Sequence, residues 1–384
     1  MKVDTILQEF QRIVKDPYRY AHEWKESKKG PVIGYFLMGM PDELIHAGGA
    51  LPVAVMGMRE KVFRAGAIVP GYICSLVRST LDLGLSGQVD FLDFMFIPYL
   101  CDSSREMIHA WQGAIPNIPA DSLRLPKKTQ GDEVKKFLID ELNRVRRKIE
   151  TIVGRPIADS DLSRSIFIYN ENRSMLRRIY QYFVSHPGVI SNAQMYALIK
   201  SSLFMRREEH TELLRALEPE LERLERKSSE PDDTPLRVFL KGKIWEPPEI
   251  MEIFDALKIQ VVGDDLIAGY RSIAEDIPAD MDPLEGLIER HLRLSPYLGF
   301  HYSPERWSGF LPEAVKETKA EGVIFLILKF CEAASFSLPD LKKQLEEAGI
   351  PSLVIQTELA ETSTSQISLR IQAFAEMVKK NDFS

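Results

Sequence analysis

Between residues 31 and 131, continuous apolar runs of strand length alternate with stretches patterned like helices. VIGYFLMG (32–39), LPVAVMG (51–57) and FLDFMFIPYL (91–100) are the runs, and each reads as a buried strand. PDELIHAGGA follows the first; Pro41 suits a first helical position, and the acidic pair behind it suits the first turn. STLDLGLSG (79–87) predicts a helix that stops at Gly87, and SSREMIHAWQ predicts another. The alternation returns beyond residue 231: VFLKG, IQVVGDD, GVIFLILKF (322–330) and PSLVIQTE as strands, PPEIMEIFDAL, LPDLKKQLEEAG and SQISLRIQAFAEMVKK as helices. Strands that alternate with helices predict parallel α/β units.

Residues 4–25 read as one amphipathic helix or a pair. From 132 to about 226 the spacing is helical throughout, with a capping-box pattern, Ser191-x-x-Gln194, opening one segment. RKSSEPDDTPL (226–236) is polar, Pro-containing and aperiodic, the clearest linker. The predicted fold class is therefore α/β: two parallel-sheet Rossmann- or flavodoxin-like units with a largely helical middle segment. The expected division is 1–30 (N-terminal helical), 31–131 (first α/β unit), 132–230 (helical) and 231–384 (second α/β unit).

A content of 45% hydrophobic and 27% charged residues is that of an ordinary soluble protein. The net charge of −7 argues against a nucleic-acid surface, which needs a basic face. The N-terminus lacks a signal-peptide core, and no apolar stretch is long enough for a membrane span. Three cysteines are too few for a disulfide framework, so a reducing cytoplasm is expected. There is no G-x-x-x-x-G-K-[ST] loop and no G-x-G-x-x-G fingerprint, hence no ATP or nicotinamide site of those types is expected.

The cysteines change the picture. Cys101 follows FLDFMFIPYL and Cys331 follows GVIFLILKF, so both are expected at the carboxyl ends of strands, where open parallel sheets bind ligands. Cys74, in VPGYICSLVRS, precedes a predicted helix, whose positive end favours thiolate. The plain alternative is three buried small hydrophobes. If they bind metal, three soft thiolates suit an iron–sulfur cluster or zinc, and their separations match no short finger or ferredoxin motif.

The blocks PDELIHAGGALPVAVMG, YICSLVRSTLDLGLSGQVDFLDFMFIPYLCDSSR, FMRREEHTEL and GVIFLILKFCEAASFSLPDLKKQLEEAGIPSLVIQTE resemble, in order and spacing, the 2-hydroxyacyl-CoA dehydratase/benzoyl-CoA reductase family. That resemblance covers nearly the whole chain. It implies a 4Fe–4S cluster held by Cys74, Cys101 and Cys331, a homologous larger cluster-binding subunit, an ATP-hydrolysing iron–sulfur activator and an acyl-CoA substrate. Within the family, VRSTLDLGLSG, FLDFMFIPYLCDSSR and SLRLPKK resemble more the smaller subunit of class I benzoyl-CoA reductases, which dearomatise the ring. A β-type subunit of a 2-hydroxyacyl-CoA dehydratase, which eliminates water to an enoyl-CoA, is the alternative. A non-catalytic electron-relay or assembly subunit and a zinc scaffold are further ones.

Several other side chains could carry chemistry. His46, in the segment after the first strand, is a candidate proton donor or thioester ligand, and Glu43, one turn earlier, its orienting partner; packing and helix-start roles are the alternatives. Arg78 and Arg105, each four residues after a cysteine, are candidates for tuning a cluster or meeting a CoA phosphate, or are simple ion-pair residues. Asp102 and Glu332 are expected to face solvent or a base. Asp264 and Asp265 end a strand, and a turn or cap is favoured over Mg²⁺ binding. His210 is expected to be solvated or ion-paired.

Overall fold

The computed structural model describes residues 3–27, 29–37, 39–57, 62–225, 234–294, 309–359 and 363–381. Helices α1 (Val3–Lys15) and α2 (Pro17–Glu26) realise the expected pair. The first sheet has β1 (Val32–Phe36), β2 (Leu51–Val55), β3 (Phe94–Tyr99) and β4 (Ala120–Arg124), all parallel, in the order β2-β1-β3-β4. Its crossovers carry α3 (Asp42–Ala47), α4 (Ser75–Leu85) and α5 (Asp102–Ala114). β1 and β2 are buried along their whole length, which is why their sequences are continuous apolar runs. β4, ADSLR, was not legible: it is an edge strand with only Leu123 fully buried, and its polar residues give no strand pattern.

The helical section comprises α6 (Asp132–Val153), α7 (Asp159–Ser185), α8 (Asn192–Ser201) and α9 (Arg207–Glu225). Ser191 caps α8 as its sequence predicts: its hydroxyl accepts the Gln194 N–H, and the Gln194 side chain accepts the Ser191 N–H at 2.8 Å. α1 joins this section by burying Ile6, Leu7 and Phe10 against Leu176, Ile179 and Leu214. Most of the expected linker, residues 226–233, lies outside the described residues.

The second sheet repeats the first. Among the described residues its unit is built from β5 (Leu236–Gly242), α10 (Glu249–Ala256), β6 (Ile259–Asp265), α11 (Pro283–Arg293), α12 (Phe310–Thr318), β7 (Gly322–Leu328), α13 (Glu332–Glu347), β8 (Ser352–Thr357) and α14 (Thr364–Asn381). The strand order is β6-β5-β7-β8, again all parallel, so both units share one topology. The order reverses between the first and third strands of each sheet, and the crevice beyond their carboxyl ends is where such sheets take ligands. α13 begins earlier than LPDLKKQLEEAG suggests, directly after Cys331, and carries Pro339 in its interior.

Phe96, Ile97 and Leu100 of the first unit share one core with Phe325, Leu328 and Cys331 of the second, so the two units are packed together. Two polar knots stiffen the interior. Asp264 accepts the N–H groups of Leu266 and Tyr270 and the hydroxyls of Tyr180 and Tyr196, which makes it the turn anchor its position suggested. Asp265 is paired with Lys241 and Arg271, so side-chain cations stand where Mg²⁺ was the minor expectation.

His210 departs from expectation. It is fully buried, not solvated, and joins four helices: its Nδ1 meets Asn172 of α7 at 2.9 Å, its Nε2 meets the Leu198 carbonyl of α8 at 2.9 Å, and its ring edges onto Phe10 of α1. The charged pattern of RREEHTELL hid this, because the stripe of α9 that turns inward contains one imidazole. Burial holds His210 neutral, with its pKa pushed down from 6.5 to about 3, the nearby Arg207 adding to the effect. The unfolded chain therefore takes up a proton below pH 6.5 that the folded chain refuses, and stability is lost as pH falls from there. Between pH 6.5 and 5 the loss is about 2 kcal/mol. The expected result is a urea midpoint lower at pH 5 than at pH 7, with the difference reduced in His210→Gln; an undiminished difference would assign the pH dependence elsewhere.

Candidate cysteine site between the two sheets

Each of the three cysteines is the residue immediately before a helix: Cys74 caps α4, Cys101 caps α5 and Cys331 caps α13. Cys101 and Cys331 sit in equivalent places, just past the third strand of their respective sheets. The three helix starts converge. Ile73, Asp102 and Glu332, the chain neighbours of the three cysteines, line one shallow groove. Cys74 senses the charge of Cys331 and Cys101, and Lys243, the residue after β5, senses all three thiols.

Local structure holds each thiol differently. Backbone N–H groups of Leu76 and Val77 point at Cys74. Ser104 braces Cys101: its hydroxyl accepts the N–H groups of Leu100 at 3.0 Å and Cys101 at 3.1 Å. Cys331 follows Phe330, whose φ of +63° lies in the left-handed region that costs a non-glycine residue about 1–2 kcal/mol. The turn keeps this conformation, with the Cys331 N–H bonded to the Leu328 carbonyl at 3.0 Å. A strap ties two of the loops: Arg78 donates to the Ile73 carbonyl at 2.9 Å and pairs with Glu358 at 2.5 Å, while Lys329 reaches the same Glu358 at 3.3 Å. Arg78 is thus an ion-pair residue that holds the Cys74 loop to the second unit. Arg105 is exposed and lies over Tyr99; Asp102 and Glu332 are exposed, as expected.

Gly242 explains how Lys243 arrives. A Cβ on Gly242 would stand 2.2 Å from the Leu326 carbonyl of β7, so only glycine lets β5 pass this close and bring the next residue within electrostatic reach of the thiols. Lys243 is buried, and burial pulls its ammonium pKa down against the opposing pull of the thiols, Cys331 foremost. Neither Ser104, Lys243 nor Glu358 stands out in the sequence. Lys243 had a usable signal, its place directly after the strand VFLKG at a sheet's ligand-binding edge.

His46 and Glu43 lie elsewhere. His46 bonds Ser165 of α7 through Nδ1 at 2.9 Å and faces Glu208 of α9 through Nε2 at 3.3 Å, with Tyr169 edge-on to its ring. Glu208 responds: burial pushes its carboxyl up, but the His46 hydrogen bond and charge prevail and bring it down to about 2. Glu43 does not orient His46. Its carboxylate pairs with Arg173 at 2.6 Å, both groups buried, and the guanidinium groups of Arg173 and Arg290 outweigh burial and hold it below the usual range. Among the described residues, no hydrogen bond, ion pair or ring contact joins either residue to a cysteine.

Among the described residues no three His, Cys, Asp or Glu side chains are gathered tightly enough to hold a single metal ion. Asp102, Glu106, His109 and Glu332 also line the groove, and the three thiols lie beside it in unlike surroundings. Burial, then the charge of Cys331, pushes the Cys74 thiol up to about 12, whereas Cys101 is partly exposed. Thiolate is the reactive form, so metal-free protein at pH 8 is expected to react with iodoacetamide first at Cys101 and last at Cys74, by peptide mass spectrometry. Equal rates at all three would contradict this arrangement.

Residues 37–378 match the family described as 2-hydroxyglutaryl-CoA dehydratase, D-component. The chain is 31% identical to the (R)-phenyllactyl-CoA dehydratase beta subunit of Clostridium sporogenes, over 97% of this chain and 98% of that protein. It is 27% identical to the beta subunit of the lactoyl-CoA dehydratase of Anaerotignum propionicum, over 98% and 100%. It is 30% identical to the C subunit of the benzoyl-CoA reductase of Thauera aromatica, over 94% of each. The relatives span both chemistries that the sequence raised, with dehydratase beta subunits at least as well represented as the reductase. By this near full-length match, the chain belongs to the 2-hydroxyglutaryl-CoA dehydratase D-component family.

Proposed function

We propose that the chain is the β-type iron–sulfur subunit of a 2-hydroxyacyl-CoA dehydratase, with Cys74, Cys101 and Cys331 as the ligands of one 4Fe–4S cluster. The observation that carries this reading is the meeting of three cysteine-capped helix starts at one groove between the sheets. Three soft thiolates suit iron–sulfur chemistry; the choice of a cluster over zinc rests on the family resemblance. When bound, such a cluster supplies one-electron transfer.

The chain's own groups have defined parts in this reading. The cysteines supply the thiolates; the N-termini of α4, α5 and α13 and the ammonium of Lys243 offset their negative charge. The Arg78–Glu358–Lys329 strap keeps the Cys74 loop and the Cys331 turn at a fixed separation. Tyr72, Phe330 and Phe336, on the segments that bear the cysteines, are exposed, which supports a protein partner over this face. The relatives' names as subunits support a heteromer; a second cluster-binding subunit and an ATP-hydrolysing activator as the electron source rest on the family resemblance alone. None of the described helices is long and apolar enough to cross a membrane, in keeping with a cytoplasmic complex. His46 and Glu43 carry no step.

The smaller subunit of a benzoyl-CoA reductase is the second reading, favoured by the Thauera aromatica relative. Protein purified without oxygen is expected to be brown with about four iron and four sulfide per chain, and Cys74→Ala, Cys101→Ala or Cys331→Ala to lose most of that iron. Iron-free, colourless protein, or full iron in a single-cysteine variant, would sink the assignment. With partner subunit and activator, conversion of a 2-hydroxyacyl-CoA to the enoyl-CoA is expected. Turnover of benzoyl-CoA instead would select the second reading.

A further inference from the structure

A second cavity, of about 160 Å³, lies at the carboxyl edge of the first sheet and touches none of the cysteines. Its wall includes three arginines from three helices, Arg173 of α7, Arg207 of α9 and Arg290 of α11, against two carboxylates, Asp42 and Glu43 of α3. Arg173 pairs with Glu43 at 2.6 Å and Arg207 with Asp42 at 2.8 Å. A further arginine on the wall, Arg271, is already paired with Asp265. Among the described residues Arg290 meets no carboxylate at ion-pair distance: its Nε and Nη2 donate to the carbonyls of Glu275 and Ser272, both at 2.8 Å. Asp276, held by Arg177 at 2.5 Å, also approaches Arg173 at 3.7 Å, so four guanidinium groups, Arg173, Arg177, Arg207 and Arg290, face three carboxylates, Asp42, Glu43 and Asp276, and one positive charge is left over. Nη1 of Arg207 and Nη1 of Arg290 have no hydrogen-bond partner among the described residues.

The rest of the wall is largely apolar: Leu125, Leu138, Leu142, Leu287 and Ile288 contribute side chains from β4's exit, α6 and α11. A cavity of this size accommodates a body about as large as benzene. An uncompensated buried charge is costly, and an anion restores neutrality where water cannot.

We propose that this cavity is a binding site for a small organic monocarboxylate, whose carboxylate meets Arg207 and Arg290 and whose hydrocarbon body lies on the leucines of α6 and α11. Crowding at the site agrees with this: burial, then the charge of Arg173, brings the Arg290 guanidinium down to about 10, and a bound carboxylate would offset the repulsion from Arg173. The proposal stands on the cavity alone and is independent of whether the cysteines hold a cluster.

Benzoate, with benzamide as its neutral isostere and chloride as a control at equal ionic strength, tests it by titration calorimetry on the full chain. Benzoate is expected to bind at least tenfold more tightly than benzamide. Arg290→Gln, which removes the charge, is expected to weaken benzoate at least tenfold while leaving benzamide within about twofold. Leu125→Trp fills the cavity from a half-buried position without touching any ion pair, and is expected to abolish both. Equal binding of benzoate and benzamide, binding that survives Leu125→Trp in a folded variant, or binding of benzoyl-CoA but not benzoate would each overturn the proposal.

Discussion

Everything at the groove depends on how hard it is to bring three cysteine sulfurs out of water beside one another. Burial and the neighbouring Cys331 raise the Cys74 thiol from 9.0 to about 12, which makes its thiolate about 4 kcal/mol harder to form. A helix start offsets about 0.3–1 kcal/mol, up to ~2 in a buried setting. Three such starts and Lys243 narrow the gap without closing it. In the proposed reading a thiophilic cation would make up the remainder, because coordination removes the proton outright. Without such an occupant, Cys74 is held as a thiol.

The parallel sheet is what makes that arrangement possible. Every strand of such a sheet ends on the same edge, and every crossover helix starts there, so chain reversals and helix N-termini collect in one place. Two sheets with the same strand order, packed through one core, set two of these edges against each other. Cys101 and Cys331 are then counterparts in the two units. The rest of the site breaks the symmetry: Lys243 follows β5, where Leu37 follows β1, and Cys74 follows β2, where the Asp264 turn ends β6. A duplicated scaffold thus carries a site built unequally from its halves.

The interior is also unusually charged around the first sheet's edge. Glu43, Asp42, Arg173 and Arg207 form buried pairs, and such pairs are poor sources of stability because desolvation consumes most of the attraction. They tie α3 to α7 and α9, because each of its two carboxylates has its cation on another helix. Arg290, held by carbonyls rather than a carboxylate, is the exception that leaves the cavity electropositive.

Much of this was legible along the chain. The apolar runs of β1, β2, β3 and β7 and the capping box at Ser191 are local signals, set by burial on two sheet faces and by a side chain's reach to its own backbone. They determined the α/β alternation, the helical middle and the placing of Cys101 and Cys331 after strands. The polar edge strand β4 gave no such signal, and the fate of individual polar residues did not either: His210 became a buried knot, and Glu43 chose Arg173 over His46. The convergence of Cys74 with the other two thiols, the delivery of Lys243 past Gly242 and the surplus charge of Arg290 were decided only by tertiary structure. Each depends on groups far apart in sequence, and periodicity reports which face of an element is buried without saying what will be packed against it.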